Sequence, residues 1–126
     1  GDRGGTPAEV KRLLGLGADI DFQDNKGKTA LHRAAKAGFV KTIGTLLDYG
    51  ACADIADTNG ETALFEVVHS TIKNDEKRKS AAPLLLKAGA DPLRAARKGK
   101  TPLSAAKSAK GPVVEQLAEI MLQSIA

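Results

Sequence analysis

The side chains of this chain best suited to catalysis or metal binding are two histidines, one cysteine and a scatter of aspartates, and their spacing argues against both chemistries. His32, Cys52 and His69 stand far apart, with no close pair of ligands of the kind that nucleates a tetrahedral zinc site. A nucleophile needs a base at its side, and no Ser, Cys or second His occupies a place comparable to that of His32. Asp19, Asp21, Asp24, Asp54 and Asp57 fall in turn-forming segments, where Asp usually stabilises the chain by accepting nearby backbone N–H groups. Gly27-Lys28-Thr29 and Gly99-Lys100-Thr101 copy the tail of a phosphate-binding loop, but the glycine required five positions earlier is Phe22 or Arg94. Gly15-Leu16-Gly17 lacks the third glycine and the preceding strand of a dinucleotide site. The sequence therefore predicts no enzyme, no metal and no cofactor.

The elements that position these residues recur. Lys28-Thr29-Ala30-Leu31-His32 is answered by Glu61-Thr62-Ala63-Leu64-Phe65 after 33 residues, and Thr101-Pro102-Leu103 restates the phrase 39 residues later. Gly17-Ala18-Asp19, Gly50-Ala51-Cys52 and Gly89-Ala90-Asp91 keep the same intervals. Two registers with one period, and one shared six-residue insertion, define a stack of repeats.

In each unit Thr, then Ala or Pro, then Leu opens a short helix: in Thr101-Pro102-Leu103 the Thr hydroxyl can cap free N–H groups, and Pro102 fits the first helical position. Leu31, Ala34 and Ala35 share a helical face that Gly38 terminates, and Val40, Ile43, Leu46 and Leu47 form a second helix ending at Gly50. Between Ala51 and Gly60 the helical period is lost and Asp57-Thr58-Asn59-Gly60 signals a turn, so an extended, hairpin-like finger is predicted. The first unit offers a second helix (Val10, Leu13, Leu14) and a finger from Ala18 to Asp24, while Gly1-Asp2-Arg3-Gly4-Gly5 is too short and Gly-rich for a first helix. In the third unit one helix runs from Thr62 through Leu64, Val67 and Val68 toward Ile72, and another holds Ala82, Leu84, Leu85 and Leu86. The charged insertion Lys73–Lys79 separates them and reads as a loop. The last unit has Leu103 and Ala106, a Gly111-Pro112 break, then Val113, Leu117, Ile120, Met121 and Leu122. Lys107, Ser108, Lys110, Glu115, Gln116 and Glu119 face outward there, as a closing unit requires.

The 126 residues are 42% apolar but only 3% aromatic, so a core of Leu, Ile, Val and Ala shared between neighbouring units is expected. No run approaches a membrane span and no signal peptide is visible. Cys52 is the single cysteine, so no internal disulfide forms; this fits a reducing compartment and favours the cytoplasm. The chain begins at Gly1 rather than Met, which keeps a removed leader, and with it a periplasmic or secreted location, open. Cys52 itself is expected to be a small buried or half-buried residue. The formal net charge is +4, and residues 64–126 hold eleven Lys/Arg against six Asp/Glu, a mild preference for an acidic partner.

The running order Gly-x-Thr-(Ala/Pro)-Leu-(His), Ala-Ala, Gly, Leu-Leu, Gly-Ala resembles the ankyrin repeat. The second unit matches best, at Gly27, Thr29, Leu31, His32, Ala34, Ala35, Gly38, Leu46, Leu47, Gly50 and Ala51. The resemblance implies an all-α solenoid of stacked helix-turn-helix units joined by fingers: a partial unit at roughly 1–23, then 24–56, 57–95 with the insertion near 73–79, and a closing unit at 96–126. Val67-Val68 in place of a small Ala pair, the insertion, and the missing opening helix depart from the pattern. The resemblance further implies a structural His32, hydrogen-bonded between adjacent turns, and a partner protein held along the finger tips and the first helices. Its contact positions here are Asn25, Lys26, Lys28, Lys36 and Ala37; Thr58, Asn59, Glu61, His69 and Ser70; and Arg97, Lys98, Lys100 and Ser108. Lys73, Lys77 and Arg78 of the insertion join them if it projects from the binding face rather than being a solvated loop.

The function expected is a monomeric, non-catalytic protein-binding module that inhibits or scaffolds a partner; small free-standing members of this kind sometimes serve as inhibitors or immunity partners of an enzyme. Two rivals remain. The basic C-terminal half is a candidate for nucleic acid or other anionic ligands, against which stand the lack of interleaved aromatics and the interruptions at Asp75, Glu76 and Asp91. The incomplete first unit also suits a fragment of a longer repeat protein whose activity lies elsewhere.

Overall fold

Short capped helices need neighbours to persist, because a helix of two turns is marginal in water on its own. The computed structural model describes residues 6–69, 75–109 and 111–125 and supplies those neighbours as two layers. Seven α-helices lie in the described residues: α1 (Pro7–Gly15), α2 (Ala30–Ala37), α3 (Val40–Asp48), α4 (Ala63–Val68), α5 (Asp75–Lys87), α6 (Pro102–Ser108) and α7 (Pro112–Ser124). Helices α2, α4 and α6 stack side by side as an inner layer. Helices α1, α3, α5 and α7 form the outer layer, and the pairs α2/α3, α4/α5 and α6/α7 join the two. In the first unit only the outer helix, α1, is described, and it packs on α3. The connections between units, Leu16–Thr29, Tyr49–Thr62 and Ala88–Thr101, are the fingers, which contain turns and no strand among the described residues.

The core is built of small and aliphatic side chains, as the composition demands. Leu31, Ile43, Leu46, Leu64, Phe65, Leu85, Leu117 and Met121 are almost fully buried, with Ala34, Ala35, Ala63, Ala82 and Ala106 between them. The Val67-Val68 pair is buried as well, at the end of a helix of six residues. The polar positions Lys107, Ser108, Glu115, Gln116 and Glu119 do face outward; Leu122 joins them, and Lys110 lies outside the described residues. Leu13 is also partly exposed, while Val10 is buried.

Two expectations are corrected. The insertion is not simply a loop: Asp75–Lys79 form the opening turns of α5, which reaches 13 residues against the nine of α3. The physical reason is local. Asp75 and Glu76 suit the positive N-terminus of a helix, Glu76 pairs with Lys79 at 3.0 Å, and the Arg78 guanidinium reaches back to the Val67 and Val68 carbonyls at 3.0 and 2.6 Å, satisfying acceptors at the end of α4. Ile72, Lys73 and Asn74 lie outside the described residues, and α4 is followed by its cap residue His69. Cys52, expected to be buried or half-buried, is exposed; its backbone N–H bonds to Asp21 at 3.0 Å, and the neighbouring Ala51 and Ala53 supply the packing instead.

Close stacking of the fingers depends on glycine at their tips. Gly60 has φ +79, and a Cβ there would meet the Ala96 Cα and Arg97 N at 3.0 Å. Gly60→Ala is expected to destabilise the protein by about 1–3 kcal/mol, the cost of a strained left-handed residue, in chemical denaturation. Gly50→Ala, also at positive φ but with nothing within 4 Å of the added carbon, should cost less; equal losses would refute the contact.

Candidate functional site

Each finger ends in the same turn. In the first, Asp24 N–H bonds to the Lys28 carbonyl and Gly27 N–H to the Asp24 carbonyl, and the Asp24 carboxylate accepts the N–H groups of Lys26 and Lys28, both at 2.9 Å. In the second, Asp57 repeats this with Asn59 and Glu61, again at 2.9 Å. The Lys28 backbone N–H, then Arg33 of α2, hold the Asp24 carboxyl well below its ordinary range, down to about 2. Asp19 and Asp91 close smaller turns of the same sort. The turn role expected from sequence is what the hydrogen bonds of Asp19, Asp24 and Asp57 give, whereas Asp21 and Asp54 instead accept the N–H groups of Cys52 and Asp91 in the next unit, because stacking brings those fingers alongside.

Neighbouring fingers are then sewn together. Thr58 N–H donates to the Lys26 carbonyl at 3.0 Å, and Arg97 N–H to the Asn59 carbonyl at 2.9 Å. Gln23 bridges the Gly27 and Ala56 carbonyls, and Arg94 reaches the Asp54 carbonyl and carboxylate. His32 is buried beneath them: its Nδ1 accepts the Thr29 N–H at 3.1 Å, so its Nε2 carries the proton and donates to the Glu61 carbonyl at 2.9 Å. In the next unit Phe65 takes the place of His32, and Thr62 Oγ1 is buried with no partner among the described residues. His32→Phe is therefore expected to cost about 1–3 kcal/mol, the penalty for stranding the Glu61 carbonyl and Thr29 N–H. A thermal melt indistinguishable from that of the unmodified protein would show that this bridge is dispensable.

One ion cluster lies between the units, and reading the sequence missed it. Lys28 Nζ sits 2.9 Å from Asp57 and 3.1 Å from Glu66, whose side chains are 1% and 8% exposed. Asp57, Glu61 and Glu66 converge closely enough to resemble a cation site, but Lys28 supplies the positive charge. Burial opposes the charge on Lys28, yet its hydrogen bonds to Asp57 and Glu66 raise its pKa; burial likewise opposes ionisation of Asp57, and Lys28 with two backbone N–H groups lowers it. No local motif signals this cluster, because its members are 29 and 38 residues apart and meet only when the units stack.

The positions expected to contact a partner divide accordingly. Asn25, Lys26, Thr58, Asn59, Arg97 and Lys98 are exposed in register along three finger tips, with Lys100 beside them, Lys36 on α2 and His69 at the end of α4. Lys28 and Glu61 are half-buried, the first within the ion cluster and the second with its carbonyl on His32. Lys77 and Arg78 belong to α5, Lys77 lining a concavity with Gly38 and Phe39 and Arg78 bonded to the end of α4; Ser70 and Lys73 lie outside the described residues. Arg33 adds an exposed cation on α2, paired with Asp24, that the expected contact positions do not include, and Lys107, expected to face outward in the closing unit, is exposed on α6.

Residues 3–96 match a family model described as ankyrin repeats, in three copies. No curated protein matches the chain.

Proposed function

This chain belongs to the ankyrin-repeat family, whose repeats generally mediate protein–protein interaction, and we propose that it is a non-catalytic module that holds an acidic partner protein against its finger tips and inner helices, inhibiting or scaffolding it. The observation that carries the reading is the hydrogen-bonded register of the fingers. Because Thr58 and Arg97 tie one tip to the next through backbone bonds, the exposed side chains stand on a rigid strip that loses little freedom on docking.

Charge supports the acidic character of the partner. Among the described residues of this strip, Asp24 is engaged by Arg33, and Asp57 and Glu66 by Lys28. Lys26, Arg97, Lys98, Lys100 and Lys107 remain exposed, so the face presents a positive excess.

The test is affinity capture from the source cell followed by mass spectrometry, comparing the unmodified protein with Arg97→Glu/Lys98→Glu. Capture of one dominant protein that the double variant loses at least tenfold, together with weakening by salt, is the expected outcome. Equal capture by both proteins would overturn the reading. Arg78 is a poor choice for such a reversal, since its bonds to the Val67 and Val68 carbonyls make it part of the fold.

A further inference from the structure

The third finger repeats the turn of the first two without its carboxylate. Counting by the period, the position of Asp24 and Asp57 is Ala96. The backbone is nevertheless unchanged: Ala96 N–H bonds to the Lys100 carbonyl at 2.8 Å and Gly99 N–H to the Ala96 carbonyl at 2.9 Å. These match the bonds of Asp24 with Lys28 and Gly27, and of Asp57 with Glu61 and Gly60. The glycine φ values agree too, at +75, +79 and +80.

It follows that the N–H groups of Lys98 and Lys100 take the places of the two pairs that converge on a carboxylate oxygen in the sibling fingers. Neither has an acceptor among the described residues. Around them is a concavity of about 490 Å³ lined by Asn59, Glu61, Ala96, Arg97, Lys98 and Lys100. Residues 96–100 carry three cations and no carboxylate, against two and one at 24–28 and none and two at 57–61, so this is the most positive of the three tips, at the one tip whose own anion is missing.

We propose that this tip is a seat for a carboxylate of an Asp or Glu side chain on the partner, bound by the Lys98 and Lys100 N–H pair and flanked by Arg97, Lys98 and Lys100. The proposal rests on the partner-binding reading above and specifies the chemistry of one contact within it. Other fingers of this chain show the ligand class: a single carboxylate oxygen accepts both N–H groups at 2.9 Å each. Charge-assisted bonds of that kind are about twice as strong as neutral ones. An outside carboxylate does not take the Asp oxygen's position atom for atom, since the Ala96 Cβ excludes it by contact. It enters from the solvent side, where Lys98 and Lys100 are exposed.

The test exploits the chain's own way of filling the turn. Backbone amide resonances are followed by NMR during titration with sodium acetate, against sodium chloride at equal ionic strength. Saturable downfield shifts of the Lys98 and Lys100 amide protons with acetate, absent with chloride, are expected. Ala96→Asp should abolish them by supplying the internal carboxylate, and Ala96→Asn should do so without adding charge. Asp24→Ala should make the Lys26 and Lys28 amides responsive in turn. Shifts reproduced by chloride, or persisting in Ala96→Asp and Ala96→Asn, would overturn the seat.

At the level of the partner, both Ala96 variants should bind the captured protein about tenfold more weakly, the value of about one charge-assisted hydrogen bond. If acetate titrates the seat but both variants keep full affinity, the partner's carboxylate does not use it and the proposal falls. The broader reading survives that result provided Arg97→Glu/Lys98→Glu still abolishes capture.

Discussion

Leu85→Ala is expected to lower the free energy of unfolding by about 2–5 kcal/mol, the range for a buried Leu truncated without collapse of the cavity. Leu85 is 0% exposed and lies on α5, the outer helix that packs against α3, α4 and α7. A cavity there opens inside the shared core, on a helix that three others pack against. In a repeat array stability is a sum of unit terms and interface terms, and a thin stack has few interfaces to compensate the loss of one. Urea denaturation followed by helical circular dichroism measures the effect. Leu46→Ala, at 2% exposure on α3, should fall in the same range. If either variant unfolded at the same urea concentration as the unmodified protein, the assignment of this layer as the shared core would be wrong.

Lys28→Met should cost about 3 kcal/mol at neutral pH, the low end of the range for breaking a buried ion pair. The low end is appropriate because Lys28 is 22% exposed and part of the pairing reaches solvent, whereas Asp57 and Glu66 are left buried without a counter-charge. The pH dependence identifies the mechanism. The pKa of Asp57 is lowered from 3.8 in the folded protein, so its contribution is present above pH 3.8 and is lost as pH falls through the depressed folded value. The pKa of Lys28 is raised from 10.5, so its contribution is present below pH 10.5 and is lost as pH rises through the folded value. Lys28→Met should therefore differ from the unmodified protein most between these limits and approach it in acid. A deficit that persisted unchanged at low pH would point to lost packing of the Lys stem instead of lost charge. A deficit below about 1 kcal/mol at neutral pH would make the cluster no better than a surface pair.

Much of this architecture was legible before any coordinates, because it depends on short-range rules. Thr29 and Thr101 cap their helices through the hydroxyl, Gly38 ends α2 with φ +73, and the apolar spacing of Ile43 and Leu46 places both in the core. Asp24 and Asp57 stabilise turns five residues long, which are likewise local. Structure and sequence pattern part where a side chain answers to something distant. Lys73–Lys79 carries so much charge that it reads as a solvated loop, yet Arg78 finds carbonyls at the end of α4, ten and eleven residues away, and α5 begins early as a result. Cys52 reads by residue type as buried or half-buried, but the finger turns it outward.

The candidate surface divides along the same line. Period and composition alone determined that the chain is a stack of paired helices whose basic surplus lies in its second half, since the first follows from intervals of 33 and 39 residues and the second from eleven Lys/Arg against six Asp/Glu in residues 64–126. Only the tertiary structure decided which charges remain available. Lys28 and Lys26 are two residues apart in one finger, yet stacking carries Lys28 to Asp57 and Glu66 of the next unit and leaves Lys26 exposed. Secondary structure and repeat spacing are set by neighbours along the chain, whereas the neutralisation of a charge is set by whatever the fold brings within about 4 Å, and that distance is not ordered by sequence.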